Sequence, residues 1–257
     1  MPGTPQGTTR RRLLFGALPA AALLAAGCGR SQPAEDDRPP LALIYDGPQG
    51  CSACAPTVAA LLRNAPRPFR VRYVGAETPL TAAALTEARL YVQPGGGADL
   101  AGTWRHLRGS AGAVRDWVRA GGSYLGLCFG AYLAGRDPGF DLLPGDTGGY
   151  IDSPGATVRD ARDTVVRVDW RGTPRHMYFQ DGPAFYLDRG ADATVLATYP
   201  DGTPAVVVAP YGVGRVGVSG PHPEADASWY TEKGLRNPDG VRSDLAYELI
   251  EATMGRR

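Results

Sequence analysis

The strongest chemical signal in the sequence is a cysteine placed between two glycines. Residues 126–130 read GLCFG, with Cys128 at the centre. An apolar stretch typical of a β-strand precedes the run, and a plausible helix follows at residues 131–134. A sharp strand-to-helix turn strains its central residue and requires small neighbours, so this spacing is typical of an enzyme nucleophile. The alternative is a buried cysteine at a glycine-rich strand end.

The predicted turn also fixes the surroundings of the thiol. It lies at the carboxyl end of a parallel sheet, where open α/β proteins place their ligands. It also faces the beginning of a helix, and the dipole there stabilises a thiolate. A cysteine used in acyl transfer additionally needs a base and a group that orients the base.

The base can be sought among only three histidines. His106 lies in a predicted helical region, and His176 has no carboxylate next to it in the sequence. His222 lies in residues 220–224, which read GPHPE. Because two prolines favour an extended backbone, we expect His222 and Glu224 to point the same way, with Glu224 orienting the imidazole. The alternative is that His222 is an ordinary loop histidine.

A second cysteine cluster lies near the start of the domain, where residues 51–54 read CSAC. This spacing at a helix start predicts either a disulfide between Cys51 and Cys54 or a redox-active pair. Reduced thiols without a function are a further alternative. A metal site needs about two more ligands, and the sequence offers no second pair of this kind. We therefore predict neither a metal nor a soluble cofactor.

Residues 212–217 read GVGRVG and match the dinucleotide-binding pattern of three glycines. That pattern binds phosphate only where a helix follows the glycines. Here strand-like runs lie on both sides, so we predict a β-hairpin and no dinucleotide site.

The first half of the domain alternates short apolar runs with helical patterns. We expect strands at residues 41–45, 69–74, 89–93 and 123–127, and helices at residues 57–63, 81–88 and 109–120. This alternation predicts an α/β fold, flavodoxin-like in type, with a mostly parallel sheet flanked by helices.

The second half of the domain is different, because its strand patterns are shorter and linked by turns. We expect strands at residues 164–170, 194–198, 205–209 and 215–219, and a closing helix at residues 243–254. Antiparallel additions to the sheet are therefore predicted in the C-terminal half.

The amino-terminal 27 residues have the pattern of an export signal. Three arginines precede the apolar residues 13–26, a run shorter than the roughly 20 residues needed to span a bilayer. The small residues before Cys28 resemble a bacterial lipobox, which predicts that Cys28 is lipidated, for example with palmitate. Residues 9–14 (TRRRLL) resemble a twin-arginine signal. The alternative is an ordinary secretory signal with a chance cysteine.

These features predict a signal peptide at residues 1–27, a lipidated cysteine and flexible tether at 28–40, and one domain at 41–257. Loss of the three signal arginines takes the formal net charge from +1 to −2. A nearly neutral protein lacks the charge that holds nucleic acid. We expect a small-molecule or peptide-like substrate and a membrane contact through the lipid on Cys28, with any protein partner left open.

Several motifs together resemble class I glutamine amidotransferase-like domains. The resemblance rests on residues 126–130, on residues 222–224 (HPE) and on residues 94–97 (PGGG). It implies a triad of Cys128, His222 and Glu224. It also implies an oxyanion hole formed by backbone N–H groups at Gly95, Gly96 and Gly97 together with that of Phe129.

The biotin–protein ligase N-terminal-domain family is a closer resemblance, covering residues 41–257. The shared motifs are residues 44–48 (IYDGP), 128–134 (CFGAYLA), 180–183 (QDGP) and 220–224. Enzymes that hydrolyse glutamine have Gln four residues after the nucleophile, where this chain has Tyr132. No adenylate-forming loop or second domain accompanies the motifs, so neither glutamine hydrolysis nor biotin ligation is implied.

The combined hypothesis is a cysteine hydrolase or amidase outside the cytoplasmic membrane. Cys128 attacks an amide or acyl bond, His222 moves the proton, and Glu224 orients His222. The first alternative is a non-catalytic, ligand-binding lipoprotein that retains the fold. The second is a thiol–disulfide protein centred on Cys51 and Cys54.

Overall fold

The computed structural model describes residues 38–97, 99–136 and 138–255. Pro39–Arg257 form one compact unit. The predicted signal peptide, the lipidation site at Cys28 and most of the predicted tether lie outside the described residues. Among the residues that are described, no helix is both long and apolar enough to cross a membrane.

Eleven strands and seven α-helices make up the described part of the chain. The strands are β1 (Leu41–Tyr45), β2 (Arg70–Val74), β3 (Leu90–Gln93), β4 (Ser123–Leu127), β5 (Gly145–Gly149), β6 (Thr164–Trp170), β7 (Thr173–Phe179), β8 (Pro183–Leu187), β9 (Thr194–Thr198), β10 (Pro204–Tyr211) and β11 (Gly214–Ser219). The helices are α1 (Cys54–Arg63), α2 (Ala82–Thr86), α3 (Leu100–Leu107), α4 (Ala111–Arg119), α5 (Phe129–Tyr132), α6 (Ala227–Glu232) and α7 (Ser243–Thr253).

Nine of the strands form one sheet in the order β2-β1-β3-β4-β11-β10-β9-β6-β7. The five strands from β2 to β11 are parallel to one another. From β11 onward each strand is antiparallel to its neighbour. The predicted α/β fold, with a mostly parallel sheet and antiparallel additions in the C-terminal half, is confirmed. β5 and β8 form a separate antiparallel pair.

The parallel strands β1, β3 and β4 are buried on both faces, which explains their largely apolar sequences, whereas the edge strand β2 is partly exposed. Every residue of β1 and of β4 is buried. One apolar layer packs α1 and α7 against one face of the sheet, and a second packs α2 and α4 against the other. Only alternating strands and crossover helices cover both faces of a parallel sheet in this way.

The sequence patterns did not predict α6, β5, β7 and β8, and for α3 they gave only a helical region around His106 without bounds. Helix α3 shows the reason, because its beginning depends on a cap: the Asp99 side chain accepts a hydrogen bond of 2.7 Å from the Gly102 N–H. A capping bond of this kind stabilises a short helix whose apolar pattern is weak. α1 also begins earlier than predicted, at Cys54, and α5 at Phe129 rather than at residue 131.

The parallel arrangement gathers the ends of four neighbouring strands at one edge of the sheet. β3 leads into the predicted glycine turn, β4 into Cys128, and β11 into His222. β1 leads into the segment that carries Cys51. The candidate residues, which are far apart in sequence, therefore meet at the carboxyl edge of the sheet.

Candidate active site

Cys128 occupies a strained turn between β4 and α5. Its backbone has a φ of 48° and a ψ of −104°, an unusual conformation for a residue with a side chain. Its N–H donates to the Ser219 carbonyl at 2.7 Å. Its own carbonyl accepts from the N–H groups of Ala131 and Tyr132. These bonds on both sides hold the strained turn in place.

The two glycines beside Cys128 are required by close packing. A Cβ on Gly130 would collide with the Gln93 carbonyl oxygen, and one on Gly126 would meet the Gly130 carbonyl. The buried Tyr124 hydroxyl donates to the Gly130 carbonyl at 2.7 Å. The glycine spacing read from the sequence therefore has a direct steric cause.

His222 and Glu224 form a buried pair after β11. The distance from His222 Nδ1 to Glu224 Oε1 is 2.8 Å. Both side chains are almost fully buried, and Glu224 Oε2 has no hydrogen-bond partner among the described residues. The Glu224 carboxylate therefore directs its hydrogen bonding at Nδ1 of the imidazole. The second ring nitrogen, Nε2, takes no part in this pair.

The backbone reason that we gave for this pair is wrong. The sequence predicted an extended segment, but Pro223 and Glu224 lie in a turn. The Ala225 N–H donates to the His222 carbonyl at 3.3 Å and closes that turn. The two side chains meet across a turn and not along one face of a strand.

Aromatic rings and a strand edge hold the imidazole in position. The His222 N–H donates to the Tyr178 carbonyl of β7 at 2.9 Å. The Trp229 ring lies 5.1 Å from the imidazole, measured between centroids, and the Tyr178 ring lies at 5.8 Å. Trp229 in turn donates from Nε1 to Thr57 Oγ1 at 3.2 Å. None of these contacts could be read from the local sequence around His222.

The charge of His222 follows from its neighbours. Burial alone would lower the pKa of the imidazole. The Glu224 carboxylate, and after it the Cys128 side chain, outweigh burial and raise the pKa of His222 from 6.5 to about 10. His222 is therefore suited to hold a proton that the cysteine loses.

The predicted glycine turn lies beside the thiol. A Cβ on Gly96 would come 2.9 Å from Phe129 Cδ1, so the two residues are in contact. Within the described residues, neither the Gly96 N–H nor the Phe129 N–H donates to another protein group. The Gly97 N–H differs, because it donates to the Gln49 carbonyl at 2.6 Å. The Gly95 N–H has no protein acceptor among the described residues either, so three of the four predicted oxyanion donors are left for a ligand and the Gly97 N–H is not.

Cys51 and Cys54 form a disulfide at the start of α1. The disulfide lies next to the imidazole, with Gly95 between them. A Cβ on Gly95 would come 2.9 Å from Cys54 Sγ and 3.1 Å from His222 Cε1. The second cysteine cluster is therefore part of the same site as the first.

Two cavities meet at Cys128. The disulfide-side cavity, of about 240 Å³, is lined by Cys51, Ser52, Ala53, Cys54, Gly95, Gly96, Cys128, Asp163, Tyr178, Gln180, His222, Trp229, Glu232 and Lys233. The Phe129-side cavity, of about 300 Å³, is lined by Gly96, Gly97, Leu100, Cys128, Phe129, Tyr132, Ala161, Gln180 and Asp181. Cys128 is buried but lines both cavities, and its thiol donates to the Gln180 carbonyl at 3.4 Å.

The other two histidines lie outside these cavities. His106 is exposed on α3. His176 contacts Asp239, with 3.2 Å between Nδ1 and Oδ2. This second histidine–carboxylate pair was missed because its members are 63 residues apart. Among the described residues, no group of three or more His, Cys, Asp or Glu side chains could hold a metal ion.

The geometry can be compared with known proteins. A crystal structure of a glutamine amidotransferase from Thermotoga maritima superimposes with a TM-score of 0.57 at 15% identity, covering 84% of this chain and 99% of that one. The fold is that of the glutamine amidotransferases. At this identity the likeness concerns the fold alone.

Sequence comparison gives partial matches to two kinds of protein. The family described as "Biotin-protein ligase, N terminal" matches residues 41–146. The biotin–protein ligase of Schizosaccharomyces pombe is 29% identical over 212 residues, which are 72% of this chain and 33% of the relative. The imidazole glycerol phosphate synthase subunit HisH of Gloeobacter violaceus is 34% identical over 135 residues, 45% of this chain and 58% of the relative. The chain thus spans a third of one relative's length and less than two thirds of the other's.

Proposed function

We propose that this protein is a cysteine-dependent hydrolase or amidase that acts on an amide or related acyl bond. The observation that carries the proposal is that Cys128, in its strained turn, lines the same cavity as His222, which is paired with the buried Glu224. A nucleophile, a base and a carboxylate that orients the base are the three parts of an acyl-transfer site. The amidotransferase fold supports the same class of chemistry.

Each residue has a separate part in the proposed reaction. His222 takes the proton of the Cys128 thiol, Sγ attacks the carbonyl carbon, and the electron pair of the C=O bond moves to oxygen. The N–H groups of Gly96 and Phe129 stabilise that oxyanion. When the intermediate collapses, His222 gives a proton to the departing amine and a thioester remains on Cys128. Water then attacks the thioester, His222 takes a proton from this water, and the acid is released.

The proposal excludes two activities suggested by the names of relatives. Tyr132 stands where glutamine-hydrolysing enzymes have Gln, and its hydroxyl donates to the Asp181 carbonyl at 3.2 Å. The bulky Tyr132 ring borders the Phe129-side cavity, and burial raises the pKa of its hydroxyl. We therefore propose an acyl substrate other than free glutamine, and we propose no biotin ligation.

The test uses p-nitrophenyl acetate as a general acyl donor and follows both p-nitrophenolate release and the acetyl thioester on Cys128 by mass spectrometry. We expect acetylation of Cys128 followed by turnover. Cys128→Ala should abolish both, and His222→Ala should slow both. The control is His176→Ala, since His176 also contacts a carboxylate but lies outside the cavities. Acetylation no faster than that of free cysteine, and indifferent to His222, would refute the proposal.

One observation favours a second function, ligand capture without chemistry. The thiol hydrogen bonds to the Gln180 carbonyl, so the protein itself engages the nucleophile. A binding protein needs the shape of the cavities and not the reactive sulfur. If Cys128→Ser restores the phenotype of a deletion strain as well as the wild-type gene does, ligand capture is the function.

We also propose that the protein is held outside the cytoplasmic membrane by a lipid on Cys28, on the strength of the sequence pattern alone. Phase separation in Triton X-114 tests this. The full-length protein produced in a bacterium should enter the detergent phase, and Cys28→Ser should move it to the aqueous phase. Cys128→Ser is the matched control and should stay with the detergent.

A further inference from the structure

The position of Cys128 between two cavities bears on the kind of amide that fits. The two cavities share Gly96, Cys128 and Gln180 and are otherwise lined by different residues. A terminal carboxamide loses only ammonia, which would leave one cavity without a role. Their combined size falls in the range of roughly 300–1,000 Å³ that is usual for ligand clefts. The cleft therefore fits an amide with a substantial group on each side of the bond.

The position of His222 indicates which cavity holds the departing amine and which holds the acyl group. His222 lines the disulfide-side cavity and is absent from the lining of the Phe129-side cavity. The proposed reaction requires His222 to protonate the departing amine, so this amine must lie on the imidazole side. The acyl group then lies on the Phe129 side, where Leu100, Phe129 and Tyr132 offer apolar surface.

The negative charges that line the disulfide-side cavity are not all matched by positive ones. Asp163 is held by Lys233, with 3.0 Å between Oδ2 and Nζ, and by the Tyr178 hydroxyl. Although burial opposes them, these two groups lower the pKa of Asp163. Glu232 has no hydrogen bond or ion pair with any described residue, and His222 is matched by Glu224. The cavity therefore carries one unmatched negative charge.

The aromatic residues that line this cavity also favour a positively charged ligand. The half-buried Trp229 ring borders this cavity beside Glu232, and the Tyr178 ring lies 5.3 Å from it. A tryptophan face attracts ammonium groups, and a nearby carboxylate adds to that attraction. An anionic group entering here would meet Glu232, because Lys233 is already paired with Asp163.

We infer that the departing amine carries a positively charged group, such as an aliphatic ammonium, which binds against Trp229 and Glu232, while an apolar acyl group lies against Phe129. This inference rests on the proposed function for its direction along the cleft. It names the substrate class as an amide of a cationic amine. Its charge preference can be measured without any turnover.

The measurement compares two thiosulfonates of opposite charge on Cys128. The full chain carrying Cys28→Ser reacts with 2-(trimethylammonium)ethyl and with 2-sulfonatoethyl methanethiosulfonate. In each case the thiolate attacks the reagent sulfur, forms a mixed disulfide and releases methanesulfinate. The ratio of the two rates is divided by the same ratio for 2-mercaptoethanol. We expect a preference for the cation of about tenfold at low salt, which decreases as salt is added.

Three variants locate the cause of the preference. Glu232→Gln should lower the ratio several-fold, and Lys233→Gln should raise it, because it leaves the negative charge of Asp163 unmatched. Glu77→Gln is the matched control, an exposed glutamate that lines neither cavity, and should change nothing. A ratio equal to that of 2-mercaptoethanol, or one that Glu232→Gln leaves unchanged, would overturn the inference.

The direction along the cleft is tested by amine capture of the acetylated enzyme. Ethylenediamine and ethanolamine compete with water for the acetyl thioester at equal free-base concentration. We expect the charged diamine to be acetylated several-fold more, and Glu232→Gln to remove the difference. Equal capture, with the thiosulfonate ratio intact, would show that the direction is wrong. If Cys128 is never acetylated, the hydrolase proposal fails while the thiosulfonate ratio still decides the charge preference.

Discussion

The two segments that meet at the site, residues 126–130 and residues 220–224, are held by different physical means. The first depends on close backbone packing: a strained φ at Cys128, glycines packed against carbonyl groups and a hydrogen bond to the Ser219 carbonyl. The second is fixed by partners far away in sequence, among them the Tyr178 carbonyl and the Trp229 ring. A local motif thus builds the nucleophile, whereas the antiparallel half of the sheet builds the base.

Apart from loss of the nucleophile itself, the largest effect should come from removing the base. His222→Ala should lower the rate of Cys128 acetylation by about 10²–10⁴-fold, the usual contribution of a general acid or base. Glu224→Gln should cost less, on the order of 10²-fold, because the amide still accepts a hydrogen bond from Nδ1 but carries no charge. Rates are measured by p-nitrophenolate release.

The control for these variants is the second histidine–carboxylate pair. His176→Ala removes an imidazole that also contacts an aspartate, Asp239, but one that is partly exposed. It should leave the acetylation rate within about twofold of the wild type, since surface changes are usually small. An equal loss from His176→Ala would mean that the effect of His222 reflects stability and not chemistry.

The same contrast explains how much the sequence could predict. Cys128 and its glycines were found because the steric demand of the turn lies within five residues. The pairing of His222 with Glu224 was also predicted, but for a wrong backbone reason, since a turn and not an extended segment brings the side chains together. The contact of His176 with Asp239 could not be predicted, because it depends on a loop 63 residues away.

The fold shows a similar limit. Strands of the parallel core were predicted because burial on both faces leaves a continuous apolar run, as in β1 and β4. β5 was missed because its sequence, GDTGG, has no apolar pattern and its strand is defined only by pairing with β8. The position of the disulfide against Gly95 and the imidazole also required the folded chain.

The second prediction concerns the glycine packing beside Cys128. Gly130→Ala places a Cβ against the Gln93 carbonyl, a backbone atom that cannot move away cheaply. Overpacking of this kind costs about 1–3 kcal/mol of unfolding free energy. Gly112→Ala is the matched control: its Cβ meets nothing within 4 Å in helix α4, so it should stabilise by about 0.5–1 kcal/mol. Denaturant unfolding of both variants measures the difference, and equal midpoints would contradict it.

The third prediction concerns the disulfide, which contacts the imidazole side only. Replacing Cys51 and Cys54 by alanine should cost about 2 kcal/mol of unfolding free energy, the low end expected for so short a loop. Because Gly95 lies between Cys54 and His222, the pH profile of Cys128 labelling by iodoacetamide should also change. Hydrogen exchange of residues 128–134 should stay as in the wild type. Loosening of that segment instead would show that the two sides are not held independently.

The smallest effect is a pH dependence of stability that belongs to His222. It is measured in a Cys128→Ala chain, so that the thiol does not titrate. Burial lowers the pKa of His222 and Glu224 raises it, and we expect the pKa in this chain to stay above the 6.5 of the unfolded chain. The folded protein then holds a proton that the unfolded chain has lost, so the contribution is complete below pH 6.5 and decreases as the pH rises through the folded pKa.

The slope of unfolding free energy with pH should therefore be more negative with His222 present, by at most about 1.4 kcal/mol per pH unit. Adding His222→Gln to the Cys128→Ala chain should remove this difference above pH 6.5. Adding His176→Gln instead should leave the slope in place. Parallel stability curves with and without His222 would show that the Glu224 carboxylate does not charge the imidazole. The base side of the site would then be held by packing and backbone hydrogen bonds without a charged imidazole, as the nucleophile side is held without a charge.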